Sequence, residues 1–136
     1  MNQLQTIAPM IGRVLLSFMF IMSGLSKIGA YAGTAAYMSS QGIPGALLPL
    51  VILVEVGAGL MLLLGWQARI AAVLLGGFAV VAGVMFHLLP SMSMTDAMAQ
   101  QGEMISFMKN MTIAGGMAFV FAFGAGKFSL DNRLSA

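Results

Sequence analysis

The stretch Ala46–Leu64 places one carboxylate, Glu55, at the centre of nineteen residues that carry no other charge. At ~1.5 Å of rise per residue, a helix of that length reaches ~28 Å, about the hydrocarbon thickness of a bilayer. Glu55 then lies near the midplane. A bare carboxylate there is costly, so it must be protonated, paired or facing water. The remaining polar residues of the chain are therefore expected to be organised around it.

The rest of the composition agrees with a membrane setting. Of 136 residues, 60% are hydrophobic and 7% are charged, whereas soluble domains carry roughly a quarter charged residues. Six Lys and Arg against four Asp and Glu cannot form a nucleic-acid footprint. The chain has no cysteine, which excludes disulfide staples, CxxC thiol relays, iron–sulfur ligation and thiolate zinc sites. Its one histidine, His87, excludes haem held by two histidines but leaves a His/Met pair open. No haem, iron–sulfur cluster or other metal centre is expected. The segment MNQLQTIAPM lacks the positive n-region of a cleavable signal and precedes a long apolar run, so a retained first span is expected.

Four apolar segments are long enough to span: about residues 8–29, 46–64, 68–89 and 104–125. Pro9 suits a helix start, and Pro49 is tolerable in a first turn. The tight joint Gly65–Arg69 makes the second and third spans antiparallel neighbours. The predicted fold is all-α, a single membrane domain built as a four-helix bundle, because in lipid only helices or closed barrels satisfy every backbone group. Arg69, Lys127 and Arg133 fall on the side holding both termini, while loops 30–45 and 90–103 contain no Lys or Arg. Both termini are therefore expected in the cytoplasm of a multi-pass inner-membrane protein. Residues 31–41 suit a short interfacial helix. Small residues at Ala114, Ala118, Ala122 and Gly126, with Ala79 and Gly83 on the third span, read as close-packing faces.

Arg13 and Lys27 lie two heptads apart on one helix face, with Phe20 between them and Gly24 nearby. Counted from the predicted outer surface, Lys27 and His87 lie ~3 Å deep, Lys109 and Asn110 ~9 Å, and Glu55 ~14 Å; Arg13 lies ~6 Å from the inner surface. A Glu55–Lys109 pair is expected first, with Arg13 as the competing partner. The structural alternative is a set of ion pairs fixing helix register, with Lys27 snorkelling to the interface. His87 suits either a capping residue or a group that changes charge near neutral pH. Tyr31, Tyr37 and Trp66 read as interfacial belt residues, Asp96 and Glu103 as solvated loop charges. The methionines are mostly packing residues, although Met92, Met94 and Met98 near His87 offer thioethers of the kind that select Cu(I).

These residues resemble those of the DoxX family of small bacterial four-helix membrane proteins. The likeness rests on Gly12-Arg13, Ser23-Gly24-Leu25-Ser26-Lys27, Tyr37, Gly42-Ile43-Pro44, Val54-Glu55 and Leu64-Gly65 with Arg69. It continues through His87, Phe107-x-Lys109-Asn110, Ile113-Ala114-Gly115 and Ser129-Leu130-Asp131. The family takes its name from a subunit associated with quinol oxidation, and its members are described as oxidoreductases of respiratory quinol chemistry and quinone detoxification. The resemblance implies a quinone-interacting membrane protein.

With few metal-ligating side chains, any electron chemistry must use a diffusible or partner-borne carrier. A quinone head needs donors for its carbonyl oxygens and, for quinol, a proton acceptor. The expected catalytic set is Glu55, His87 and Lys109. Lys27, Asn110, Arg13 and Tyr37 are the expected cofactor-binding residues. Two other classes stay open: a structural or assembly subunit docking redox partner proteins, and a proton or small-solute transporter acting as an oligomer.

Overall fold

The computed structural model describes residues 2–135. Four helices are long and apolar enough to cross a membrane, and no strand occurs among the described residues. They are α1 (Gln3–Gly29), α3 (Gly45–Leu64), α4 (Ala68–Ser91) and α5 (Ala97–Phe123). Two shorter helices flank them, α2 (Tyr31–Ser40) after α1 and α6 (Leu130–Leu134) at the end of the chain. The all-α membrane architecture expected from the sequence is the one observed.

Two spans begin earlier than the apolar pattern suggests, each because a polar residue caps it. Asn2 and Gln5 form a capping box, with the Asn2 side chain accepting from the Gln5 N–H at 2.9 Å. Pro9 thus falls inside α1 rather than starting it. Asp96 accepts from the N–H groups of Met98 and Ala99 at 2.8 and 3.3 Å, which starts α5 seven residues before the expected Met104. Asp96 is therefore a helix cap, and Glu103 a helical residue, where both were expected to be loop charges.

The face of α1 that carries Arg13, Ser17, Phe20 and Gly24 is buried, as their 4-3-4 spacing requires. Phe20 meets Phe78 of α4 edge-on at 6.4 Å. Leu62, Leu75, Ala79 and Met117 complete an apolar core with it. The expected stripe on α5 is not the packing face, since Ala118 and Ala122 are exposed. Close packing of α4 on α5 instead occurs at Gly76 against Met117 and at Gly83 against Asn110.

One end of the bundle is fastened by a polar clasp. Gly65 ends α3 in the left-handed region (φ 65°), and the carbonyls this frees are claimed by Arg13. Its Nη1 donates to Leu62 and Leu63 O at 3.1 and 3.2 Å, and its Nη2 to Phe128 O. Asp131 then caps α4, accepting from the Gln67 and Ala68 N–H groups at 2.7 and 2.9 Å, while its own N–H donates to Gly65 O at 2.8 Å. Both terminal segments and the α3–α4 turn therefore lie at the same end.

Candidate functional site

The opposite end of the bundle holds a partly open cavity of about 340 Å³ to which five helices contribute. Its polar wall begins on α1. Gly24 has no side chain, and a Cβ there would lie 2.6 Å from Val56 Cγ2 and 3.1 Å from Glu55 Cβ, so α1 and α3 touch at this level. The contact brings Ser23 and Lys27, one turn apart, onto the Glu55 carboxylate.

Glu55 is 3% exposed and Lys27 25%. Lys27 Nζ lies 3.0 Å from Glu55 Oε1, 2.9 Å from Oε2 and 2.7 Å from Ser23 Oγ. Ser23 Oγ donates to Oε1 at 2.9 Å. Oε1 thus takes both aligned hydrogen bonds. Oε2 feels the ammonium charge but has no aligned donor, although it is buried.

The facing wall comes from α2, α4 and α5. Tyr37, His87 and Asn110 line the cavity, with Phe20, Phe78 and Phe86 supplying aromatic surface. Tyr37 stacks on Phe86, with centroids 5.7 Å apart and an angle of 25°. Partial burial pushes the Tyr37 phenol up from its ordinary range, and the Glu103 charge adds to the shift. Asn110 Nδ2 donates back to Ser106 O at 3.0 Å. His87 Nδ1 lies 2.6 Å from Glu103 Oε2, both side chains being about 30% exposed. An ionised Glu103 can only accept, so this contact needs a proton on Nδ1.

Glu55 of α3 and His87 of α4 each sit in a π-helical turn, Leu53–Ala58 and Val84–Leu88 respectively. Such a turn holds an extra residue and redirects the side chains it carries; it recurs at functional sites. The second has a visible cause. Pro90 lacks an N–H and crowds the carbonyl of Phe86, four residues earlier, which a widened turn relieves.

Five of the seven expected site residues, Lys27, Tyr37, Glu55, His87 and Asn110, thus line one cavity. Two do not. The expected Glu55–Lys109 pair does not form, because Asn110 faces the cavity and its neighbour, roughly 100° around the helix, is exposed. Arg13 belongs to the clasp at the other end and does not compete for Glu55. The sequence reading missed Ser23 as a Glu55 partner and Glu103 as the partner of His87. His87 Nδ1 is committed to Glu103, and Met92 and Met98 are 73% and 81% exposed. A wider cleft of about 650 Å³ opens at the clasp end, but among the described residues it holds no ion pair comparable to Lys27–Glu55.

No solved structure matches the chain. It is 37% identical over 135 residues to inner membrane protein YqjF of Escherichia coli (strain K12), covering 99% of this chain and 98% of that one. It is 35% identical over 126 residues to inner membrane protein YphA of the same organism, covering 91% and 88%. With four membrane-capable helices, the chain is a multi-pass inner-membrane protein. The DoxX family profile matches residues 8–88, the stretch that holds Ser23, Lys27, Glu55 and His87, and the chain belongs to the DoxX family.

Proposed function

We propose that the cavity binds the head group of a quinone or quinol and that the protein takes part in redox chemistry in the bacterial inner membrane. The observation that carries this reading is one partly open cavity, about 340 Å³, whose lining combines Ser23, Lys27 and Glu55 with Tyr37, His87, Asn110 and aromatic rings. A planar ring with polar oxygens suits such a slot, since the aromatic faces take the ring and the donors take its oxygens. Oε2 of Glu55 lacks an aligned donor, so a small turn of the carboxylate into the cavity it lines would present it to a quinol hydroxyl. Lys27, Asn110 and the Tyr37 phenol can donate to carbonyl oxygens. When bound, a quinone supplies the two-electron, two-proton couple that the side chains lack. The electrons would pass to or from a partner redox protein. The His87–Glu103 pair, about 30% exposed, connects the cavity wall to solvent and can exchange protons there.

Extraction of the purified protein followed by mass spectrometry is expected to find a quinone at near-stoichiometric amount. Glu55→Gln and Lys27→Met are each expected to lower that amount several-fold. Protein that carries no quinone, and binds no short-chain quinone in calorimetry, would refute the proposal. A scaffold reading is favoured by one observation, that the Lys27–Glu55 pair ties α1 to α3 at Gly24. The exchange Lys27→Glu with Glu55→Lys separates the two. Full recovery of stability and quinone content favours a scaffold, whereas recovered stability with lost binding favours a site.

A further inference from the structure

The clasp end of the bundle carries two adjoining hollows of opposite character. The first is the open cleft of about 650 Å³, whose lining includes Arg69, Lys127, Trp66 and Asp131. Neither Arg69 nor Lys127 takes part in an ion pair among the described residues, where the pairs are Lys27–Glu55 and His87–Glu103. Asp131, the acid of the cleft, spends both carboxylate oxygens on the backbone N–H groups of Gln67 and Ala68. The lining sums to one net positive charge, two cations less one carboxylate. Trp66 is 46% exposed, as suits a ring in the headgroup layer.

The second hollow, about 400 Å³, lies between α1 and α5 and shares Phe123, Gly124 and Gly126 with the cleft. Apart from Arg13, whose two Nη atoms are engaged by carbonyls, its lining is apolar, including Leu16, Phe119 and Val120. The hollow exists because Gly12 and Gly116 face it. A Cβ on Gly12 would meet nothing within 4 Å, and one on Gly116 would reach Leu16 only at 3.4 Å.

A cationic cleft at the membrane surface continuing into an apolar crevice matches an amphiphile with an anionic head. We propose that the two hollows form one binding site for an anionic phospholipid. Its phosphate lies between Arg69 and Lys127, and one acyl chain occupies the crevice between α1 and α5. The site is separate from the cavity at Glu55 and does not depend on what that cavity binds.

The test uses the delipidated full-length protein in detergent and native mass spectrometry, with phosphatidylglycerol, phosphatidylcholine and water-soluble glycerol phosphate as probes. One phosphatidylglycerol is expected to be retained in preference to phosphatidylcholine. Arg69→Gln and Lys127→Gln each weaken phosphatidylglycerol retention about fivefold and phosphatidylcholine, whose choline offsets its phosphate charge, by less. Gly12→Leu, which fills the crevice without a clash at its Cβ, weakens both lipids. Equal retention of the two lipids, or phosphatidylglycerol retention that none of these variants alters, overturns the proposal. Glycerol phosphate binding as tightly as the lipid also overturns it, because the cleft is then an anion site. Should the charge variants fail to fold, a salt titration of the unaltered protein decides. Lipid preference that falls with ionic strength supports the site, and preference that ignores salt overturns it.

Discussion

Glu55 is nearly sealed, whereas its cation keeps a quarter of its side chain exposed, and this asymmetry decides how the pair fails. Removing Lys27 strands a buried carboxylate, whereas removing the Glu55 charge leaves an ammonium that can snorkel outward. Lys27→Met is therefore expected to cost about 2–3 kcal/mol, below the full value for a buried pair because Lys27 is partly solvated. Glu55→Gln, which keeps the Ser23 hydrogen bond, costs about 1 kcal/mol. The double variant recovers most of the Lys27→Met loss. Thermal unfolding in detergent checks the order, and a Glu55→Gln loss exceeding that of Lys27→Met refutes it. Tyr37 offers a second reading at this scale. Its phenol is pushed up by partial burial and then by Glu103, so its ionisation penalises the folded state as pH climbs past the usual tyrosine value of about 10. In a Tyr31→Phe background, absorbance titration should place Tyr37 above free tyrosine, and Glu103→Gln should bring it part of the way back. Residue by residue, sequence supplied depth but not direction. Depth alone made Lys109 a partner for Glu55, whereas the neighbouring position of Asn110 shows how much one step around a helix matters. Depth also misled where span ends were assumed level. Gly24 and Val56 touch, yet Gly24 is five residues from the end of α1 and Val56 eleven from the start of α3. The outer end of α1 is thus recessed by roughly 9 Å, which brings Lys27 down to Glu55.

At the scale of the element, the spans were legible because a bilayer demands long apolar runs, and α2 because a mildly polar stretch with two tyrosines suits an interface. The caps Asn2 and Asp96 were less visible, since each lies beyond the apolar run whose start it sets. The π-helical turn before Pro90 follows from that proline. The one around Glu55 has no comparable mark in Leu53–Ala58 and depends on tertiary packing. Gly24 gives the element-scale prediction. A side chain there meets Val56 Cγ2 at 2.6 Å from its Cβ alone, so Gly24→Val must push α1 off α3. A loss of about 1–3 kcal/mol is expected, with the Lys27–Glu55 pair lengthened. Gly12→Ala, where a Cβ meets nothing within 4 Å, is the matched control and should unfold no earlier than the parent. Equal melting of Gly24→Val and the parent would show that the two helices are not pressed together at this point.

On the scale of the whole molecule, the two ends of the bundle are built for different work. The clasp end spends its buried polar groups on closure. Arg13 and Asp131 satisfy the carbonyls and N–H groups of the α3–α4 turn, and among the described residues this end has no buried ion pair. The cavity end keeps its buried pair beside an open space, and the apolar core around Phe20, Leu75 and Met117 separates the two. Arg69, Lys127 and Arg133 belong to the clasp end, while the turn between α4 and α5 has no Lys or Arg. By the retention of Lys and Arg on the cytoplasmic side, the bundle is expected to lie with the clasp inward and the Glu55 cavity in the periplasmic half. The native chain has no cysteine, so introduced thiols report this without background. Met92, 73% exposed between α4 and α5, and Ser135, exposed beyond α6, mark the two ends. With a membrane-impermeant maleimide, Met92→Cys is expected to label in intact cells and Ser135→Cys only after the membrane is opened. The reverse pattern would turn the cavity toward the cytoplasm, and a quinol bound at Glu55 would then exchange its protons with the opposite compartment.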